Sequence, residues 1–332
     1  MKLPTMEDIA KEVGVSKMTV SKAFNNKPSV SKKTREKILT VAEKLNYKHN
    51  MIAGSMRSKK TKTIGLIISD SSFSFFPDVI KGIEDCALQN GYALLLCNTG
   101  GDHNMEKKKI DLLLSKRVDG LILAASTFIN KYDVDYLSTI GTPFIYTIRI
   151  PINEKVDYVA NDNYHGAYMM VDYLVRTGSK KIHFFNMQSV STSANKRLEG
   201  YKKALEKHGI CYDENIVYGI NHTIEAGYAH MKELLSYGEE LKAVFCGCDI
   251  IAIGVMQAAL DMGFKIPDDI RVASYDGIEL AQYLQVPLTT VNQPKYDIGK
   301  KSVELLIKRI NEPSKEPEAI IIKSELCIRK ST

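Results

Sequence analysis

At 332 residues, with 44% apolar and 25% charged residues, the chain has the length of two or three domains and the composition of a globular protein. No run approaches the roughly 18 apolar residues of a membrane span, and the start MKLPTMED lacks an apolar signal core, which argues against a membrane protein and for a cytoplasmic one. The net charge of +6 is unevenly spread: residues 1–62 hold 15 Lys and Arg against 5 Asp and Glu, the remainder 30 against 34. A basic head on a mildly acidic body points to a polyanionic partner for the head.

Met6 to Lys22, MEDIAKEVGVSKMTVSK, reads as two short helices joined by a tight turn. Thr5 is placed to cap the first, with Asp8 completing a capping box. Ile9, Ala10 and Val13 form its apolar stripe, Gly14 supplies the turn, and Val15 plugs the corner. Ser16 is placed to cap the second helix, where Val20, Ala23 and Phe24 point inward and Lys17, Met18, Ser21 and Lys22 stay outside. That outward face suits a DNA major groove, although a small solvated helical hairpin has the same pattern. After the loop Asn25-Asn26-Lys27-Pro28, a third helix runs from near Ser31 to Leu45, with Ile38, Val41, Ala42 and Leu45 on one face.

The stretch NMIAGSMRSKK from Asn50 to Lys60 allows one or two helical turns ending near Arg57. A helix of about eight residues containing Gly54 does not hold by itself. Either it forms against a second copy or DNA, with Ile52, Ala53 and Met56 as the contact face, or it is a flexible basic linker.

From Lys62 apolar strands alternate with amphipathic helices. Strands are expected at Thr63–Ser69, Tyr92–Cys97, Val118–Ala124 and Pro143–Ile148, with helices at Pro77–Gln89 and Met105–Lys116. The rhythm resumes with helix Gly166–Arg176, strand Lys181–Asn186 and helices Ala194–Lys207 and Ile224–Ser236. Strand Ala243–Cys246, helix Ile250–Met262 and strand Arg271–Tyr275 follow. The pattern predicts parallel sheets covered by helices on both faces. The expected fold is a small all-α helix-turn-helix head plus an α/β two-lobed core of doubly wound parallel sheets. Its boundaries fall at 1–49 for the head, 50–61 for a hinge helix and linker, and 62–332 for the core. Lobe 1 takes about 62–160 and 292–322, lobe 2 about 161–291 and 323–332. A ligand is expected between the lobes, outside the carboxyl ends of the strands.

Nothing marks an enzyme. No G-x-G-x-x-G follows the first strand, and no G-x-x-x-x-G-K-[ST], G-x-S-x-G or H-E-x-x-H occurs. The seven histidines, His165, His183 and His222 among them, show no metal spacing and read as surface or satisfied core residues. The six cysteines read as buried free thiols, without a disulfide framework or a zinc set. No catalytic residue, cofactor or metal is therefore expected.

The elements T-x-x-D-I-A, G-V-S-x-x-T-V-S, V-S-x-x-T-R and L-N-Y stand in order between Thr5 and Tyr47, and with them the head resembles the LacI/GalR family of bacterial transcription repressors. The body is similar to the effector-binding core of that family, of periplasmic-binding-protein type I form. The matching pieces are Asp162-Asn163 with Gly166-Ala167, Arg197 with Gly200, Ala243-Val244-Phe245 with Asp249, Ala252 and Gly254, and then Pro267, Tyr275-Asp276, Pro287-Leu288-Thr289-Thr290-Val291 and Gln293-Pro294. The likeness spans about residues 5 to 331.

The resemblance implies that the second helix reads a near-palindromic operator in double-stranded DNA. Lys17, Met18 and Lys22 would meet base edges, and Thr5, Ser16, Thr19, Ser21 and Asn25 would hold phosphates. Lys22 stands where the family usually has Arg. Met56 stands where it usually has Leu, the wedge that paired hinge helices drive into the minor groove. In the core, Phe75 and Phe76 would be apolar walls, Arg197 a forked donor and Asp276 an acceptor of hydroxyls, unless the last two form only an interlobe salt bridge. Asp249 would be a ligand contact or the cap of its helix, and Gln293 would line the cleft or tie the crossover strands. Asn161, Ser191, Ser193, His222 and Lys295 occupy positions that touch ligand in some members, and Ile148 stands where several sugar-responsive members carry Asp. Arg149, Arg197 and Lys295 together would favour an anionic sugar derivative.

By the same resemblance the chain would be a repressor of carbohydrate-utilisation genes, gated by a sugar-like effector. The alternative is a catabolite-control regulator answering to a phosphocarrier protein; Tyr296-Asp297-Ile298-Gly299 echoes that group, whereas Glu304 stands where a basic contact belongs. A homodimer is expected, with Lys81–Leu88 and Lys108–Leu114 as candidate contact segments; no leucine-heptad tail follows the last strand.

Overall fold

The computed structural model describes residues 4–24, 27–47, 60–124, 126–127, 129–151, 155–188 and 191–332. The chain divides into two units, Met1–Thr61 and Lys62–Thr332. The segment expected to form a hinge helix, Met56 included, and Asn25 lie outside the described residues.

Among the described residues the first unit contains three helices, α1 (Met6–Val13), α2 (Lys17–Phe24) and α3 (Lys32–Lys44). The start of α1 is fixed by a reciprocal capping box: the Asp8 amide donates to Thr5 Oγ1 at 3.4 Å, and the Thr5 amide donates to Asp8 Oδ2 at 2.8 Å. Gly14 ends the helix at φ 75°, a left-handed conformation glycine adopts without strain. Ser16 Oγ then accepts from the Thr19 amide at 3.1 Å, and Ser31 Oγ from the Thr34 amide at 3.2 Å. Ile9, Val20, Ala23, Ile38 and Ala42 close a small core, with Phe24 and Tyr47 packed against it.

In the second unit, β1 (Thr63–Ile68), β2 (Ala93–Asn98), β3 (Gly120–Ala124), β4 (Phe144–Thr147), β5 (Tyr158–Asn161) and β11 (Ala319–Ile322) form one parallel sheet in the order β11-β5-β4-β3-β1-β2. A second sheet has the order β12-β10-β9-β8-β6-β7. Its strands are β6 (His183–Met187), β7 (Val217–Ile220), β8 (Ala243–Cys246), β9 (Arg271–Asp276), β10 (Thr289–Asn292) and β12 (Glu325–Cys327), of which β12 alone runs antiparallel. The continuous apolar runs TIGLII and AVFC lie inside their sheets because both faces are covered, whereas ALLLCN is an edge strand with several exposed side chains. Each sheet has a core on either face. Among the described residues no helix is long and apolar enough to cross a membrane.

The helices are α4 (Phe76–Gln89), α5 (His103–Ser115), α6 (Lys131–Thr139), α7 (Asn163–Arg176), α8 (Thr192–Lys207), α9 (Ile224–Ser236), α10 (Asp249–Asp261) and α11 (Lys295–Asn311). Three pairs touch through glycine. A Cβ at Gly82 of α4 would lie 2.1 Å from the Tyr296 carbonyl oxygen, and one at Gly299 of α11 would lie 2.1 Å from that of Val79. In α9 and α10, Gly227 and Gly254 meet the carbonyls of Ile251 and Ile224 at 2.3 and 2.0 Å, and Gly200 of α8 meets that of Tyr164 at 2.2 Å. No side chain fits at these crossings.

The alternating rhythm read from sequence stops at Tyr275, and the structure adds α6, α11 and five strands to it. Helix α11 starts after Pro294 without a side-chain cap, so the usual start signal is missing although Ile298, Val303, Leu305 and Leu306 are buried. The added strands β5, β7, β10, β11 and β12 are three or four residues each, too short for a clear alternation. Of the six free cysteines, Cys86, Cys246 and Cys248 are buried and Cys97 and Cys327 half-buried, but Cys211 is exposed, against the expectation of burial throughout.

Candidate functional site

On the first unit, α2 turns its apolar side inward and leaves a polar face. Val20 and Ala23 are buried, Lys17, Lys22 and Ser16 are exposed, and Thr19 and Ser21 are half-buried. Met18 is 66% exposed, so this face presents an apolar side chain beside the two lysines. Thr5 is exposed at the start of α1, and Ser16 Oγ lies 2.9 Å from Thr19 Oγ1. Lys17 approaches Glu7 only at 3.8 Å with both ends exposed, so its ammonium is held weakly.

Between the two sheets of the second unit lies a cavity of about 340 Å³. It opens at the carboxyl ends of the strands, where the strand order reverses beside β1 and again beside β6. The first sheet contributes Ser69, Asp70, Phe73, Phe75 and Phe76 after β1, Gly100 and Gly101 after β2, and Ile148 and Arg149 after β4. The second contributes Met187 at the end of β6 and Gln188 after it, Ser193 and Arg197 from α8, His222 after β7, Asp276 from β9 and Gln293 after β10.

Arg197 is nearly buried and held on every side. Its Nε donates to Asn163 Oδ1 at 2.9 Å, Nη1 donates to the Gly247 carbonyl, and Nη2 donates to Asp276 Oδ1 at 3.3 Å. Tyr275 lies under it, with the guanidinium carbon 3.8 Å from the ring centroid. Gln293 donates to the same Asp276 oxygen at 2.7 Å, so it both lines the cavity and braces the carboxylate. Asp276 has φ 116° and Ile148 has φ 74°, backbone conformations that are costly for side-chain-bearing residues and most of all for a β-branched one. Ile148 joins the lobes: its carbonyl accepts from Ser193 Oγ at 3.3 Å. Phe73 meets His222 edge-on at 5.1 Å between centroids, adding a third phenyl ring that the sequence reading passed over. Burial lowers the His222 pKa, aided by Arg197 and Arg149 and opposed by Asp276.

Four positions named from sequence do not reach the cavity. Asp249 is fully buried at the first turn of α10, where Ser274, Thr290 and the Ile278 amide donate to it, the last at 2.7 Å. It is neither a cavity wall nor the cap, since Cys248 precedes it at the cap position. Burial, then the charge of Asp276, pushes its pKa well up. Lys295 turns its ammonium to the carbonyls of Asp276 at 3.0 Å and Gly277 at 2.7 Å and is not part of the cavity lining. Ser191 caps α8 through the Ala194 amide. Asn161 donates to the Tyr275 hydroxyl at 2.7 Å and lines a neighbouring cavity of about 340 Å³ that shares Ile148 and Ser193 with the first.

The histidines also differ from the sequence reading. His183 is fully buried and His230 half-buried, and among the described residues the Nε2 of each has no hydrogen-bond partner. His222, Cys248 and Asp276 bring one donor atom each to within 4.8 Å of one another. Residues so far apart in the chain leave no local spacing to read, and the nearby charges of Arg197 and Arg149 oppose a cation there.

Residues 5–50 match the family model described as bacterial regulatory proteins, lacI family, and residues 61–330 that described as periplasmic binding proteins and sugar binding domain of LacI family. The HTH-type transcriptional repressor PurR of Histophilus somni (strain 129Pt) is 34% identical, covering 99% of each chain. The ribose operon repressor of Haemophilus influenzae is 32% identical over 99% of this chain and 98% of its own. The lac repressor dimer bound to operator and the anti-inducer ONPF superposes with a TM-score of 0.89 at 25% identity, covering 99% of each chain.

Proposed function

The chain belongs to the LacI family of bacterial regulatory proteins, and from that premise we propose a cytoplasmic repressor of carbohydrate-utilisation genes whose operator affinity is set by a small sugar-like effector held between its two lobes. It is a DNA-binding transcriptional repressor, as its relatives are. The operator is near-palindromic and is read by two copies of the chain, for a two-fold dimer presents the same helix twice.

In each copy α2 enters the major groove. Lys17, Met18 and Lys22 meet base edges, and Thr5, Ser16, Thr19, Ser21 and Asn25 hold the backbone. Met56 is the wedge at the operator centre. The exposure of Met18 beside Lys17 and Lys22 supports this assignment.

The observation that carries the effector role is the Arg197–Asp276 pair on the cavity wall, opposite Phe75 and Phe76. Apolar rings facing a fixed donor and acceptor suit a small polyol: the rings take its C–H face, the pair its hydroxyls. Ser193 and His222 flank the same wall. The chain crosses between sheets after Asn161, after Asn292 and after Ile322, so the lobes can rotate about three strands. A ligand that touches both lobes favours one closure, and operator affinity follows that choice. Glu304, paired with Lys301 at 2.8 Å on α11, keeps a negative charge where the phosphocarrier alternative needs a positive one.

Sequencing the DNA retained by the purified protein, then titrating sugars against that complex, tests the proposal. Retention of one palindromic sequence and its release or tightening by a sugar supports it. Sequence-indifferent binding that no small molecule alters sinks it.

A further inference from the structure

Among the described residues lining the cavity, Asp70, Arg149, Arg197 and Asp276 carry formal charge. Three of them are engaged within the protein. Asp70 accepts from the Ser72 amide at 2.9 Å, and Arg197 and Asp276 face each other at 3.3 Å with further partners on both. Arg149 stands apart. Among the described residues its guanidinium donates no hydrogen bond, forms no ion pair and stacks on no ring, yet it is half-buried on the lobe 1 wall. Burial lowers its pKa, and the negative charge it senses is that of Glu106. Both Glu106 oxygens already accept, one from Ser126 and the other from the Thr127 amide at 2.8 Å and its hydroxyl at 2.5 Å.

A desolvated cation without an acceptor is unfavourable, and a guanidinium offers a planar fork that matches a carboxylate or phosphate. Among the described residues lining the cavity, the one other cation, Arg197, is already paired with Asp276. Lys295 is spent on carbonyl oxygens, and Arg197 gives three of its N–H groups to Asn163, Gly247 and Asp276, whose carboxylate offsets its charge and leaves it a donor for hydroxyls. At the opposite wall both side-chain bonds to Asp276 fall on Oδ1, which leaves Oδ2 to accept hydroxyls.

We propose that the effector is an acidic polyol of monosaccharide size, a sugar acid or a sugar phosphate, and that Arg149 binds its anionic group. This rests on the cavity being the effector site. The anionic end is held by lobe 1 and the hydroxyls by lobe 2, so one small molecule ties the two halves together through Arg149 and Asp276. A neutral sugar of the same size leaves the guanidinium without an anionic partner and forgoes this charged tie to lobe 1.

The test is calorimetric titration of the full chain with neutral hexoses and pentoses, with the matching aldonates and uronates, and with the matching monophosphates. At least one acid is expected to bind about 10- to 100-fold more tightly than its neutral parent, the range of one charged hydrogen-bonded pair. The aldonate and phosphate arms tell the two sources of the anion apart. Arg149→Gln removes most of that preference and Arg149→Lys restores part of it, with thermal melts verifying that both variants fold. A neutral parent that binds as tightly as every acid, with binding abolished by Asp276→Asn, overturns the acid assignment and leaves the effector cavity standing. An acid preference that persists in Arg149→Gln overturns the role of Arg149. If no compound of any class binds or alters operator affinity, the effector reading falls, and this inference with it.

Discussion

Arg197 stands over the ring of Tyr275, 3.8 Å from its centroid, and the hydroxyl of that ring accepts from Asn161 at 2.7 Å. One side chain thus bears on both a cavity cation and the first crossing between lobes. Tyr275→Phe leaves the Asn161 amide without this partner and is expected to cost about 1–3 kcal/mol in urea denaturation. Ligand affinity should hold within a few-fold while the ligand-induced change in operator affinity shrinks. An undiminished response would show that closure is not transmitted through this ring.

Met18 and Ser16 separate recognition from stability in the head. Because Met18 is 66% exposed, Met18→Ala should alter the melting free energy by less than about 0.5 kcal/mol. It should nevertheless weaken specific operator binding more than binding to random DNA. Ser16→Ala loses the cap on the Thr19 amide and is expected to cost about 1 kcal/mol in stability.

Salt should act strongly on operator binding. With ~6–10 phosphates neutralised, affinity is expected to fall ~10³–10⁵-fold between 50 and 200 mM salt. Lys17→Gln should reduce the slope of log affinity against log salt by about one if Lys17 lies on a phosphate, and should relax specificity at one base pair if it lies on a base edge. Filter binding across a salt series on wild-type and mutated operators distinguishes these outcomes.

His183 makes the second lobe sensitive to acid. Burial, then the charge of Lys181, lowers its pKa from 6.5 to about 4. Between those values the unfolded chain binds the extra proton, so this stabilisation is complete above about pH 6.5 and is lost as pH falls toward 4. The loss amounts to roughly 2–3 kcal/mol, at about 1.4 kcal/mol per pH unit with some allowance for solvent. His183→Phe should flatten that part of a stability–pH curve, and an unchanged slope would exonerate His183.

The glycine crossings give the clearest packing test. A methyl at Gly254 would meet the Ile224 carbonyl oxygen at 2.0 Å, so Gly254→Ala must push α9 and α10 apart. The expected cost is about 1–3 kcal/mol, and more if the helices cannot separate. By contrast Gly100→Ala, at a position with open space but φ 65°, should cost only backbone strain of about 1 kcal/mol. Thermal melts of the two variants decide this.

Much of the site was legible because it sits where strands end. Phe75 and Phe76 follow a conspicuous apolar strand, and Arg197 and Asp276 stand within motif pieces that the family resemblance picks out. Phe73 was missed because a phenylalanine in a Ser-rich loop carries no periodic signal. Asp249 was misplaced for the opposite reason: an acid at a helix start resembles a contact or cap, and only the fold reveals Ser274 and Thr290 closing over it. Lys295 looked like a ligand cation until its partners proved to be main-chain carbonyls from a distant strand end. The added short strands and α11 were hidden by absent boundary signals, since tertiary pairing rather than local preference holds them.

Asp276 holds its carboxylate in place with a backbone at φ 116°, where almost any L-residue is uncomfortable. Glycine there would relieve the backbone but bring no acceptor. It would also strand the buried Arg197 guanidinium and the Gln293 amide, a loss larger than the strain removed, so even a lineage selected only for heat tolerance will keep this aspartate.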